Sequence, residues 1–424
     1  MARRIREPGK LRGAVLLTVF SLTVPMVFTA AAAQAAPRPN AVITWNLHAQ
    51  TAAFEVARQS PTATTRSFAM TQAAVYDAVN AIAGAPYEPY LVAPRSRPGD
   101  SVPAAVATAA YRTLVWLFPA QADFLRTKYE ESLAAIPDGP SERGGIAVGE
   151  ATSTAMINAR RNDGAFSNAT WPVGTAPGQW RPTPPEFLQV GAWFATLKPF
   201  VTDPRPHRTP GPPALTSAAY ARDLNEVKAL GSATSTTRTP EQTEAAIWWD
   251  DPRLVEWSIK RQLATTHRLG ALQTARLFAM VDTATADALI ACYQEKKRWS
   301  FWRPVTAVPL ADTDGNPATD GDPAWTPLRT TAPSPEYPSG HACFTAATTT
   351  ALRTFFGRDD LYFSAHSADS GTTRHYRSLS KAMAELKQAR VWAGVHYRFA
   401  SEDGHRLGAG VARDVLDHAF GPAK

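Results

Sequence analysis

KKRWSFWRP, residues 296–304, sets two long basic side chains on an apolar stripe. Lys296 and Arg303 stand seven residues apart, two turns of an α-helix, and at that spacing share a face with Leu289, Cys292 and Trp299. Two such cations cannot face a dry core; they require an anion, a carboxylate or a water-filled cleft. Pro304 then stops the helix beside Arg303.

Two further stretches carry groups of the same character. Pro338-Ser339-Gly340 punctuates the chain before residues 342–356, which lack Pro and Gly and read as helix. A helix start offers unpaired N–H groups at the positive end of its dipole, and Gly340 lets an anion come close. His341 stands at that mouth, where a proton can be passed. In ARVWAGVHYRF, residues 389–399, Arg390 falls on the apolar face formed by Leu379, Met383, Leu386 and Ala393, and His396 follows Gly394-Val395. Any one of these signals is more often a satisfied structural residue than a functional one. Three in order, all cationic or donor, point to a site for a tetrahedral oxyanion.

The set Lys-x6-Arg-Pro, Pro-Ser-Gly-His and Arg-x5-His resembles the signature shared by vanadium-dependent haloperoxidases and type 2 phosphatidic acid phosphatases. Residues 45–82, WNLHAQTAAFEVARQSPTATTRSFAMTQAAVYDAVNAI, resemble the bacterial haloperoxidase branch. The resemblance implies an all-α fold of two four-helix bundles, with the oxyanion site between helices of the second. It implies vanadate as cofactor, held as a trigonal bipyramid with His396 as the one protein bond to vanadium. Lys296, Arg303, Arg390, Ser339 and the Gly340 N–H would hold its equatorial oxygens, and His341 would handle the proton of an apical water or peroxide. The implied partners are hydrogen peroxide, chloride or bromide and an organic acceptor; a homodimer is left open. The cations would neutralise oxygen charge and polarise the peroxide toward halide, and His341 would deliver the proton that hypohalous acid needs near neutral pH.

Other readings suit the same donors. In a secreted soluble phosphatase, His396 would attack phosphorus to give a phosphohistidine while His341 protonates the leaving alcohol. In a non-catalytic oxyanion binder neither would turn over. Two positions depart from the family pattern. Ala400 stands where an Asp often orients a neighbouring histidine, leaving Glu402 or Asp403 to substitute, and Ser334 stands where an aromatic or His is usual. By the match around TPEQTEAAIWW, residues 239–249, Asp250 or Asp251 is either the carboxylate partner of a site arginine or a surface acid at a helix end.

Residues 1–35 read as an export signal. Arg3, Arg4, Arg6, Lys10 and Arg12 form its head, residues 14–33 its apolar run, and Ala33-Gln34-Ala35 its cleavage site. An uncleaved anchor is the alternative. Cleavage lowers the formal charge from +7 to about +3, puts the protein outside the cell or in a periplasm, and leaves no basic-aromatic run for nucleic acid and no membrane span. The remainder divides into an N-terminal helical part, 36–230, and a C-terminal part, 231–424, carrying the site.

Cys292 and Cys343 are the two cysteines, and in an exported chain they are either a disulfide or two buried thiols. Helical patterns cover a segment from Ser60-Pro61, then 103–117, 142–161, 216–230, 240–281, 283–303, 341–356, 378–395 and 401–420, the last capped by Ser401-Glu402-Asp403. No strand alternation is visible. Residues 162–215, rich in Pro and Gly, read as an ordered wrap anchored by Trp171, Trp180, Phe187 and Trp193. Asp312, Asp314 and Asn316 mimic a calcium loop, but Pro317 and Pro323 break that pattern in favour of turns. His366, His375, His405 and His418 have no motif partner and read as surface residues.

Overall fold

The computed structural model describes residues 40–251 and 257–423; the export segment expected over 1–35 lies outside them. Helix starts follow local capping chemistry. The Asn40 side chain accepts from the Val42 N–H to open α1 (Ala41–Gln50), which runs into one π-helical segment, Thr51–Val56. Ser60 caps α2 (Pro61–Ile82), with proline at its first turn. α3 (Val102–Leu117), α4 (Ala122–Ala134) and α5 (Pro140–Arg160) follow. After a long irregular segment come α6 (Ala218–Gly231) and α7 (Pro240–Trp248), the latter opened by a Thr239/Gln242 capping box. α8 (Ile259–Thr266), α9 (Ala271–Trp299) and the short α10 (Pro304–Ala307) lead to α11 (Gly340–Phe356), α12 (Leu379–Trp392) and α13 (Arg398–His418).

α9 is the axis of the molecule. It packs with α2, which in turn packs with α3 and α5, and on its other side with α11 and α13, while α12 lies against α11 and α13. The parts expected on either side of residue 230 therefore share one helix and one apolar core. Among the described residues no helix is long and apolar enough to cross a membrane.

Several expected boundaries fall elsewhere, each for a local reason. Instead of helices over 240–281 and 283–303, the chain breaks at His267 and Arg268, the latter at φ 51, and then runs unbroken through α9. Thr283 and Thr285 do not interrupt α9, because their hydroxyls donate back to the Ala279 and Val281 carbonyls. α9 ends at Trp299, where Ser300 turns left-handed at φ 40, so Arg303 does not continue the helical face of Lys296. α13 begins at Arg398 with Tyr397 as its cap, placing Ser401 inside the helix rather than at its start.

A two-stranded hairpin, β1 (Phe363–Ser367) and β2 (Thr372–Tyr376), also occurs where no strand was expected, with Phe363 opposite Tyr376. Its polar alternate residues conceal a buried face of Phe363, Ala365 and Ser367.

The wrap is tied down by buried carboxylates. Asp287 of α9 accepts from the backbone N–H groups of Phe200, Val201 and Thr202. Asp163 is shared by Arg66 and Arg160. Trp171, Trp180 and Trp193 are buried as expected anchors, whereas Phe187 is 63% exposed and anchors nothing.

Two glycines set backbone-to-backbone distances around the motif residues. A Cβ at Gly408 of α13 would lie 2.1 Å from the Cys343 carbonyl oxygen, so α13 presses directly on the first turns of α11. Gly394, at φ +76, follows α12, and a Cβ there would lie 2.3 Å from the Gly231 carbonyl oxygen. Gly394→Ala combines left-handed strain with overpacking, and we expect a loss of about 1–3 kcal/mol. Urea denaturation should show a lower midpoint at unchanged slope; an unchanged midpoint would mean that the turn relaxes freely.

Candidate active site

Lys296 lies in the last turn of α9 and is buried; its ammonium donates to the Pro335 and Glu336 carbonyl oxygens at 2.6 and 2.9 Å. The left-handed Ser300 then turns the chain. Backbone bonds from Trp180 to Ser300 and from Trp302 to Gly178 hold that turn against the wrap. Arg303 caps α10 and is directed inward. Its Nε donates to the Ser334 carbonyl at 2.9 Å, one terminal nitrogen to the Ser334 hydroxyl at 3.2 Å, and the other to the Val395 carbonyl at 2.9 Å and His396 Nε2 at 3.1 Å.

The Ser339 hydroxyl caps α11 by accepting from the Ala342 N–H, and the Ser339 N–H donates to the Ala400 carbonyl. Gly340 and His341 are thus the first residues of the helix. Arg390 lies in the last turn of α12 with one nitrogen on Asp250 Oδ1 at 2.8 Å, and its buried Nε has no hydrogen-bond partner. Gly394 reverses the chain and brings His396, 3% exposed, beside Arg303.

These pieces meet in a cavity of about 330 Å³, lined by Lys296, Arg303, Gly340, His341, Arg390 and His396. Ser339 lies behind this lining as the helix cap. Val190 and Gly191 of the wrap and Ser60 and Pro61 at the start of α2 complete the wall. A Cβ at Gly340 would meet nothing nearer than Lys296 Cε at 3.8 Å, so the space left by the glycine faces the cavity rather than another part of the chain.

Crowded cations shape the protonation of the site. Burial, then Arg303, lowers Lys296 to about 8, and burial lowers Arg303 to about 10 despite Glu336. Burial, reinforced by Arg390 and opposed by Asp250, pushes His341 down to about 3, and burial followed by Arg303 lowers His396 well below the usual range. Both histidines are therefore neutral at pH 7 among the protein's own charges.

An oxyanion among these cations favours the charged imidazole, so its binding should raise the His341 pKa. NMR titration of the His341 ring proton with and without saturating phosphate should show the rise; identical curves would place the anion elsewhere.

Asp250, not Asp251, is the carboxylate on the site arginine. Burial works against its charge, but Arg390, His341 and Arg329 hold it at about 2. Asp251 accepts from the Ser367 hydroxyl instead. Neither proposed substitute for the absent Asp reaches a site histidine: Glu402 pairs with Lys387, and Asp403 with Tyr337 and Arg406. Glu336 does reach one. Fully buried, its Oε1 lies 2.8 Å from His396 Nδ1 and accepts from the Tyr397 N–H at 3.1 Å. Burial raises its carboxyl to about 8 against the pull of Arg303 and Lys296. The clue available in the sequence was a single charge inside the Pro-rich run 332–338, next to the Pro-Ser-Gly-His motif.

The cysteines are free thiols, both buried, with Cys292 Sγ 3.7 Å from the Pro338 carbonyl; they form no disulfide. Asp314 and Asp312 accept backbone and Thr319 hydroxyl hydrogens within turns, and no metal-holding cluster occurs among the described residues. His366, His375 and His418 are exposed and His405 half-buried.

Residues 276–423 match the family of VCPO second helical-bundle domains. The chain is also 29% identical over 305 residues to vanadium chloroperoxidase of Curvularia inaequalis, covering 54% of this chain and 48% of that protein. The chain is thus similar in sequence to vanadium haloperoxidases. The chain spans about half the length of that curated relative. Its fold is similar to a crystal structure described as the first bacterial vanadium-dependent iodoperoxidase. The TM-score is 0.76 at 22% identity, covering 91% of this chain and 96% of the other. A holo-type bacterial vanadium-dependent chloroperoxidase is similar at TM-score 0.66 and 19% identity, covering 87% and 93%.

Proposed function

We propose that the protein is an exported enzyme that oxidises halide with hydrogen peroxide to hypohalous acid, using vanadate as cofactor. The observation that carries this is one cavity in which Lys296, Arg303 and Arg390 converge on a neutral His396 and a helix start at Gly340. The residues fit such an oxyanion. Lys296, Arg303, Arg390 and the Gly340 N–H are donors, the Arg390 Nε lacks a protein partner, and the glycine leaves room on the cavity side.

Lys296, Arg303, Arg390 and the Gly340 N–H would hold oxygens, and His396 Nε2 would supply the bond to the central atom. Bound vanadate supplies Lewis-acid activation of peroxide without changing oxidation state. His341 takes and returns a proton at the cavity wall. Asp250 fixes Arg390 and favours the charged His341. The cavity's Leu289, Tyr293 and Phe344 also give an organic acceptor an apolar surface.

A second reading is supported by the same neutral Nε2, which is competent to attack phosphorus in a phosphate ester. The deciding assay uses metal-stripped protein with peroxide and bromide or chloride, with and without orthovanadate, and a parallel aryl phosphate. Halogenation only with vanadate supports the haloperoxidase. Phosphate release suppressed by vanadate, without halogenation, would replace it with the phosphatase.

A further inference from the structure

Glu336 joins the separate motif pieces more directly than any motif residue does. Its carbonyl oxygen accepts from Lys296, its Oε1 accepts from the Tyr397 N–H and meets His396 Nδ1, and three residues later Ser339 caps α11. On the other edge of the same imidazole, Arg303 meets Nε2 at 3.1 Å. A guanidinium can only donate, so a neutral His396 must accept at Nε2 and carry its proton on Nδ1. The Tyr397 N–H likewise can only donate, which makes Oε1 an acceptor.

The ring is thereby gripped from both ends with one consistent assignment. The bond is also fully buried, so no water competes for Nδ1.

We infer that Glu336 is the positioning residue for His396: its Oε1 holds the ring in the Nδ1–H form, so that the lone pair at Nε2 is available to the central atom of a bound oxyanion. This rests on the proposed function for the oxyanion, but not on which reaction follows. It places in the Pro-rich segment before α11 the carboxylate that Ala400 cannot supply. The Glu336 carboxyl touches no reacting atom, and its hydrogen bond to the site is made to His396. An acceptor oxygen is sufficient for the role, so glutamine should retain it and leucine, of similar volume, should not.

The test uses the purified protein as wild type, Glu336→Gln and Glu336→Leu, with the His396 resonances identified by their absence in His396→Ala. Long-range proton–nitrogen NMR spectra should show His396 as Nδ1–H in wild type and E336Q, and shifted toward Nε2–H in E336L. Calorimetric titration with orthovanadate, and separately with inorganic phosphate, should give affinities within about threefold of wild type for E336Q. E336L should bind about 10- to 100-fold more weakly, the scale of losing a ligand's orienting partner.

A wild-type His396 found as Nε2–H overturns the inference, even where E336L does not fold. So does an E336L with unchanged tautomer and affinity, or an E336Q as weak as E336L. Wild-type protein that binds neither anion would instead remove the proposed function, while the NMR spectra still judge Glu336.

Discussion

On the proposed haloperoxidase reading, His396→Ala should abolish orthovanadate retention and lower halide oxidation by about 10²–10³-fold or more, the scale lost when a principal stabilising group leaves a buried site. The fold should survive. Arg303 keeps its bonds to Ser334 and Val395, and Glu336 keeps its bond to the Tyr397 N–H. What disappears is the Nε2 lone pair beside Arg303, and no other lining residue presents an unprotonated nitrogen there except His341 at the start of α11. Vanadate titration and the peroxide–bromide assay check this, with added imidazole as a restoration arm. A variant that binds vanadate and halogenates like wild type would remove His396 from the site.

His341→Ala should separate binding from turnover. The cations and His396 remain, so orthovanadate affinity should change little, while halide oxidation falls by about 10²–10⁴-fold through loss of the proton-transfer group. His341 makes this contribution only once an anion offsets Arg390, Arg303 and Lys296, because those cations and burial hold it at about 3. The same variant divides the three readings. A phosphatase would lose phosphate release, and a pure binder would have no activity to lose. Wild-type halogenation by His341→Ala would assign the proton to another group.

Chemistry confined to a few neighbouring residues was legible in the sequence alone. Ser60-Pro61 starts α2 because a cap needs only its own first turn. The buried stripe of α12 was visible in its spacing, and the three motif pieces named Lys296, Arg303, Gly340, His341, Arg390 and His396, which the fold gathers around one cavity. Helical class followed from periodicity.

What only the tertiary structure decided are the pairings made across long stretches of chain. Asp250 rather than Asp251 meets Arg390 across 140 residues, and Glu336 rather than Glu402 or Asp403 meets His396 across 60. No local propensity distinguishes these carboxylates; packing of α7, α12 and the segment before α11 does. Arg303 reaches the cavity through a left-handed turn at Ser300 that is held by the wrap, not along the helix its spacing suggested. The neutrality of His341 likewise arises from burial among three cations drawn from α9, α10 and α12, an environment that exists only after those helices pack together.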